Sequence, residues 1–207
     1  MPKTLVVKAM ERGTFMYVKY GKRAVDFGLA LAGLIGLSWL LVLLAFLVRL
    51  TSPGPALFRQ RRIGRNKKEF EILKFRTMRI DTPRDMPTHL LTAPERYVTP
   101  LGRWLRRTSL DELPQLFNIL KGEMALIGPR PALWNQFDLI AGRELYGVNR
   151  LRPGLTGWAQ VNGRDEIPLV KKIRLDAEYA KRISLRFDLK IFFMTAGKVI
   201  TGEGIKG

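Results

Sequence analysis

The longest apolar run, Gly28–Val48 (GLALAGLIGLSWLLVLLAFLV), has no charged position in its 21 residues. As a helix it is long enough to cross a bilayer core of roughly 30 Å. A segment apolar on every side needs lipid or a large protein around it. A secretory signal fits poorly, because the run is too long and no small-residue cleavage site follows. Residues 51–55, TSPGP, stop any helix with two prolines around a glycine. Ala56–Thr77 then predicts a β-hairpin, with ALFRQRR and EFEILKFRT as strands and IGRNKK as the turn. Arg79–Pro100 holds four prolines and little periodicity, the pattern of a long loop. Leu113, Leu116, Phe117 and Leu120 form a helical stripe that ends at Lys121-Gly122. Gly128–Pro131, GPRP, reads as a rigid turn, Leu133–Gly142 as a short helix, and Arg152–Gly163 as irregular. Leu169–Arg182 and Phe187–Ile200 are amphipathic helices. The last mixes Phe187, Ile191, Phe192, Phe193 and Met194 with Lys190 and Lys198, which suits a membrane surface or an ordinary core. Residues 1–20 are basic, with the loose apolar face of an interfacial helix. The pattern contains no repeats.

Charge changes the picture. The 207 residues carry 36 Lys and Arg against 18 Asp and Glu, a net charge of +18 and a pI near 10.7. Such a chain meets an anionic partner: an acidic membrane surface, a phosphorylated substrate or nucleic acid. Lys8, Arg12, Lys19, Lys22 and Arg23 precede the apolar run, and Arg49, Arg59, Arg61, Arg62, Arg65, Lys67 and Lys68 follow it. Basic residues near membranes prefer the cytoplasmic side. A plain span would put one cluster outside, whereas a re-entrant hairpin would keep both inside, with Gly33, Gly36 and Ser38 as bend points. Exposed backbone in lipid is costly, and that favours the plain span.

Candidate chemistry concentrates in residues 101–131, LGRWLRRTSLDELPQLFNILKGEMALIGPRP. There are no cysteines, one histidine (His89), no phosphate-binding P-loop and no zinc motif. Carboxylates, lysines and hydroxyls must do the work. The acid pair Asp111-Glu112 lies between Arg103/Arg106/Arg107 and Arg130. Ser109-x-x-Glu112 matches a capping box, and Pro114 fits the first position of a helix starting later; both put the pair at a helix start. Arg106, Arg107 and Arg130 are salt-bridge partners or phosphate ligands, and bases outnumber acids two to one. Lys74 and Arg76 alternate on one face of the second predicted strand and would point together at that site. Arg61, Arg62, Lys67 and Lys68 read as a solvated basic face.

These residues, in this order, resemble the bacterial sugar transferases, the monotopic phosphoglycosyl transferases. The matching pieces are KRAVDFGLAL, SPGPALFRQRRIG, FEILKFRTM, RRTSLDELPQLFNILKGEMALIGPRP, LRPGLTGWAQVNGRDE and FDLKIFF, from about Lys22 to Lys198. The resemblance implies an enzyme on the cytoplasmic face of the bacterial inner membrane. It would move a sugar 1-phosphate from a UDP-sugar donor to polyprenyl (undecaprenyl) phosphate and release UMP, the first membrane step of surface glycan assembly. By resemblance, Asp111 is the nucleophile and carries the phosphosugar, and Glu112 assists proton transfer. Magnesium is required and would be held by Asp111 and Glu112. Lys74, Arg106 and Arg130 match the family's basic positions, and Asp176 in RLDAEY corresponds to a further carboxylate. Asn162 and Arg164 are candidates for uridine or sugar contact, with a structural turn as the plainer role for both. One departure stands out: the family has Ser-Pro inside its re-entrant helix, and here Trp39 follows Ser38. The break then rests on Ser38, Gly33, Gly36 and packing.

The expected fold is a small α/β membrane-associated (monotopic) domain: a re-entrant helix, a β-hairpin, amphipathic surface helices and irregular connections. Residues 1–51 would form the basic N-terminus and membrane helix, and residues 52–207 the cytoplasmic catalytic domain. Expected partners are the donor, the acceptor and anionic membrane lipid, with room for a homodimer and no nucleic acid. The rivals are a non-enzymatic basic module anchored on anionic lipid or nucleic acid, whose binding would fall steeply with salt, and a direct glycosyl transferase releasing UDP.

Overall fold

The computed structural model describes residues 16–83, 94–163 and 167–201; the basic stretch 1–15, the part of the proline-rich loop holding His89, and Arg164 lie outside the described residues. The apolar run becomes a bent pair of helices. After a π-turn at Tyr17–Gly21, α1 spans Lys22–Gly36 and α2 spans Ser38–Thr51. Their axes differ by 65°, and among the described residues no single helix is long and apolar enough to cross a membrane.

The break is one residue wide. Leu37 leaves helical geometry (φ −102°, ψ 11°), and the Ser38 hydroxyl donates to the Ile35 carbonyl at 2.9 Å. That bond helps satisfy a carbonyl at the end of α1, where the next helix cannot supply a donor in register. No proline is needed. Gly36 closes α1, but Gly33 is not a bend point. It lies inside α1, where a Cβ would stand 3.3 Å from Leu116 Cδ1, so its role is close helix packing. Ile35, Trp39, Val42, Leu43 and Phe46 stay exposed around the bend, a larger apolar surface than a water-facing fold ordinarily leaves.

The hairpin matches its sequence. β1 (Leu57–Ile63) pairs antiparallel with β2 (Glu69–Phe75), from Leu57 opposite Phe75 to Ile63 opposite Glu69. Ile72 and Phe75 face the core, while exposed Arg59 and Arg61 meet Glu71 and Glu69 across the strands at 3.7 and 3.8 Å. Arg61, Lys67 and Lys68 are therefore solvated as expected, but Arg62 is not: half-buried, it donates to Gln60 Oε1 and to the Pro131 carbonyl, because its side chain lies on the face of β1 that meets the GPRP segment.

A second sheet was not legible. β3 (Ala125–Ile127) pairs in parallel with β4 (Gly154–Thr156), which lies inside the stretch expected to be irregular, and α6 (Trp158–Val161) follows. Three-residue strands are too short to show alternation. Their glycines mark contact between backbones: a Cβ on Gly157 would stand 1.9 Å from the Gly128 carbonyl oxygen.

The remaining helices are α3 (Pro100–Arg107), α4 (Gln115–Lys121), α5 (Phe137–Leu145), α7 (Leu169–Arg182) and α8 (Leu185–Thr201). α4 ends on Gly122 (φ 83°), α7 keeps its predicted span, and α8 starts two residues earlier than predicted. α5 begins four residues later than the predicted Leu133, which instead bridges to Arg62 beside β1. The sequence reading also missed α3. Thr99 caps it, accepting from the Gly102 N–H at 2.9 Å, and Pro100 supplies a first turn that needs no donor.

Three apolar clusters join these pieces. Ala30 and Leu34 of α1 pack with Ile72, Leu116, Ile119 and Met124. Leu44 and Val48 of α2 pack with Phe75 and Leu105, and with the half-buried Leu110 and Leu113. Ile127, Val161, Tyr179, Ile183, Phe187 and Ile191 form the third around β3, α7 and α8. The base of α1 is also held by polar contacts. Lys22 Nζ donates to Asp188 Oδ2 at 2.7 Å, and Asp26 accepts the Leu126 N–H at 3.1 Å. Thus α1 underlies α4 and α2 underlies α3, with the α3–α4 junction between them.

The start of α3 is seated against the backbone after β2 at Gly102, where a Cβ would stand 2.1 Å from the Thr77 carbonyl oxygen. Gly102→Ala is expected to destabilise the fold by about 3 kcal/mol, the upper range for forced overpacking. Thermal unfolding in detergent would test this, and an unchanged midpoint would refute the close contact.

Candidate active site

Residues 108–114 carry the acid pair between α3 and α4. Ser109 turns the chain in the left-handed region (φ 56°), and a 3₁₀ turn, Leu110–Glu112, leads into α4. The expected capping box is absent. Ser109 makes no side-chain cap, only its carbonyl meets the Glu112 N–H at 3.2 Å, and Pro114 immediately precedes α4. The physical reason is packing. Leu110 and Leu113 seat on the α2 cluster, which sets the direction of the turn and frees both carboxylates to face β2 and the GPRP segment.

Four cations approach or flank the pair. Lys74 Nζ donates to Glu112 Oε1 at 2.6 Å and lies 4.0 Å from Asp111 Oδ2. Arg130 Nη2 reaches the same Glu112 oxygen at 3.5 Å. Arg106 is steadied by a 2.9 Å bond from Nε to Thr77 Oγ1, and its charge acts on Asp111. Arg107 follows Arg106 on the exposed side of α3, and among the described residues no contact joins it to the acid pair. Asp111 is buried (8% exposed) and accepts no hydrogen bond among the described residues. Burial pushes its carboxyl above the usual range. Lys74 opposes that, Glu112 adds repulsion, and Arg106 and Arg130 pull it down again.

Two expected members lie elsewhere. β2 ends at Phe75, so the alternation that would align Arg76 with Lys74 stops there. Arg76 is buried and donates to the carbonyls of Ser52 (2.7 Å) and Pro53, tying the exit of α2 to the end of β2. Asp176 (1% exposed) does not meet the acid pair either. Arg143 binds it at 2.7 Å and also donates from Nη1 to the Arg130 carbonyl at 3.0 Å. Sequence reasoning missed Arg143, because one arginine in an ordinary helix gives no signal. Asn162 donates to the Trp158 carbonyl at 2.8 Å and closes α6, the plainer of its two expected roles. Arg164 lies outside the described residues.

Among the described residues no three His, Asp or Glu side chains gather as a metal centre. Magnesium is commonly held by one or two carboxylates together with substrate phosphate oxygens. Adjacent Asp111 and Glu112, the first accepting no hydrogen bond among the described residues, fit that limited donor set.

Comparison with known proteins places the chain in a family. Residues 17–202 match the family described as bacterial sugar transferase. The chain is 41% identical over 189 residues to an undecaprenyl-phosphate glucose phosphotransferase of Komagataeibacter xylinus, covering 86% of this chain and 36% of that protein. It is 40% identical over 191 residues to a UDP-glucose:undecaprenyl-phosphate glucose-1-phosphate transferase of Xanthomonas campestris pv. campestris, covering 89% of this chain and 40% of that protein. An uncharacterized sugar transferase of Bacillus subtilis is 40% identical over 185 residues, with 89% and 90% of the two chains covered. The chain therefore spans well under half the length of the first two relatives.

Proposed function

From the premise that this chain belongs to the bacterial sugar transferase family, we propose that it is a phosphoglycosyl transferase. It moves a sugar 1-phosphate from a UDP-sugar to polyprenyl phosphate. The observation that carries this reading is the placement of the Asp111-Glu112 turn: its leucines rest on the α2 cluster while Lys74 and Arg130 meet its carboxylates. A site at the foot of a bent apolar helix pair serves a soluble anionic donor and a lipid acceptor in turn. The names of the relatives, which include undecaprenyl phosphate, support that acceptor.

In the first step an Asp111 carboxylate oxygen attacks the β-phosphorus of the UDP-sugar. The bond from that phosphorus to the bridging oxygen breaks, and UMP leaves with the electron pair. In the second step a phosphate oxygen of the polyprenyl phosphate attacks the aspartyl phosphosugar, and Asp111 leaves as a free carboxylate. Glu112 takes the proton of the acceptor phosphate. Lys74, Arg106 and Arg130 offset the repulsion between a carboxylate and a pyrophosphate and stabilise charge on the departing phosphate. Bound at Asp111 and Glu112, magnesium would supply Lewis-acid stabilisation of phosphate charge. The covalent step lets one site handle two dissimilar substrates.

The α1–α2 pair enters the bilayer from the cytoplasmic face of the bacterial inner membrane and returns to it. Basic residues on both flanks then meet anionic headgroups on the same side.

Intact mass spectrometry tests the chemistry. The protein is incubated with magnesium and a panel of UDP-sugars without acceptor. A mass gain equal to one sugar phosphate, accompanied by UMP, is expected, and it identifies the sugar. UMP formed only with acceptor and without adduct would mean direct transfer. No UMP under either condition would overturn the enzyme reading.

A further inference from the structure

The GPRP segment that presents Arg130 has an unusual way of being held. Pro129 and Pro131 have no N–H, so the segment has few donors with which to join a sheet. Its carbonyls are held instead. That of Pro129 accepts the Gly154 N–H at 2.9 Å, that of Arg130 accepts Arg143 Nη1 at 3.0 Å, that of Pro131 accepts Arg62 Nη1 at 3.0 Å, and that of Ala132 accepts the Ile63 N–H at 2.9 Å. The bond at Arg130 itself comes from a side chain that is buried (4% exposed) and fixed in turn. Arg143 Nε and Nη2 donate to Asp176 Oδ2 at 2.9 and 2.7 Å. α5 and α7 approach closely beside this pair, where a Cβ on Gly142 would stand 2.4 Å from Ile173 Cδ1.

We propose that Arg143 is a positioning residue for Arg130, and that Asp176 acts on the active site only through Arg143. This rests on the transferase reading above. The guanidinium is a rigid fork: two donors are spent on one buried carboxylate, which orients the third at the carbonyl of Arg130. Arg130 then projects from a backbone that cannot slide, and its Nη2 stands 3.5 Å from Glu112. A fold seeking stability alone would gain as much from an apolar pair, because replacing a buried ion pair by well-packed apolar residues is often neutral or stabilising. The donor aimed at the Arg130 carbonyl is what an apolar pair could not supply.

The test is a mutant cycle on the full chain. Arg143→Met/Asp176→Leu removes the ion pair without leaving a lone buried charge. UMP release and thermal unfolding are measured for this change in the wild-type background and in an Arg130→Ala background. The expected result is a near-normal unfolding midpoint and a rate loss of about 10 to 100-fold in the wild-type background, the scale of a small misplacement of a catalytic group. In the Arg130→Ala background the same change should cost no more than about twofold, because residues acting as one unit are not additive. Equal losses in both backgrounds would mean a general structural role, and no loss in the wild-type background would mean no role; either overturns the proposal. If the double variant fails to fold, Arg143→Lys, which keeps the charge but not the fork, is read by the same cycle. Absence of UMP from the wild-type protein would count against the transferase reading instead.

Discussion

Asp111→Asn is expected to lower UMP release by at least about 10⁴-fold, the scale of losing a nucleophile. It should also abolish any phosphosugar adduct while leaving the fold intact. Asparagine has nearly the shape of aspartate, and Asp111 accepts no hydrogen bond among the described residues that the change would break. Its carboxyl is pushed up by burial, so the substitution removes a buried charge and should not destabilise the protein. Measuring UMP release and thermal unfolding together separates the two effects. A variant with a normal midpoint and more than about a tenth of the wild-type rate would eliminate Asp111 as the nucleophile, because an amide cannot form the covalent phosphosugar.

The second large effect is expected at Lys74. Lys74→Met removes the cation nearest both carboxylates, 2.6 Å from Glu112 and 4.0 Å from Asp111. The rate should fall by about 10² to 10³-fold, the range for losing one preorganised electrostatic contact. The pH profile should move as well. Lys74 is the largest influence holding the Asp111 carboxyl down against burial. Without it that carboxyl rises further, Asp111 needs a higher pH to ionise, and the acid limb of the pH–rate profile shifts upward. A lower rate with an unshifted limb would show that Lys74 serves the substrate phosphates and not the nucleophile. By the same physics Lys74→Arg should keep the limb but lose rate, because a planar guanidinium does not replace a compact ammonium.

The sequence by itself determined several features. The uncharged run and its flanking bases offered Gly33, Gly36 and Ser38 as bend points but favoured a plain span, because exposed backbone in lipid is costly; the structure put the break at Leu37, beside Gly36 and Ser38. The strand-like segments ALFRQRR and EFEILKFRT around the turn IGRNKK located the hairpin, and the structure added its register. The acid pair, Lys74, Arg106 and Arg130 were legible because carboxylates among cations are rare in a chain so short of acids. Only the tertiary structure decided the rest. Ser109 failed as a cap because Leu110 and Leu113 found a better seat on α2. Arg76 left the site because β2 ended one residue too soon, and Asp176 met Arg143 instead of the acid pair. The β3–β4 pairing arose from glycine backbones meeting between segments far apart in the chain, Ala125 opposite Gly154. Each of these outcomes depends on which distant surface a side chain meets. Local periodicity encodes which face of an element is apolar, but not what lies against it.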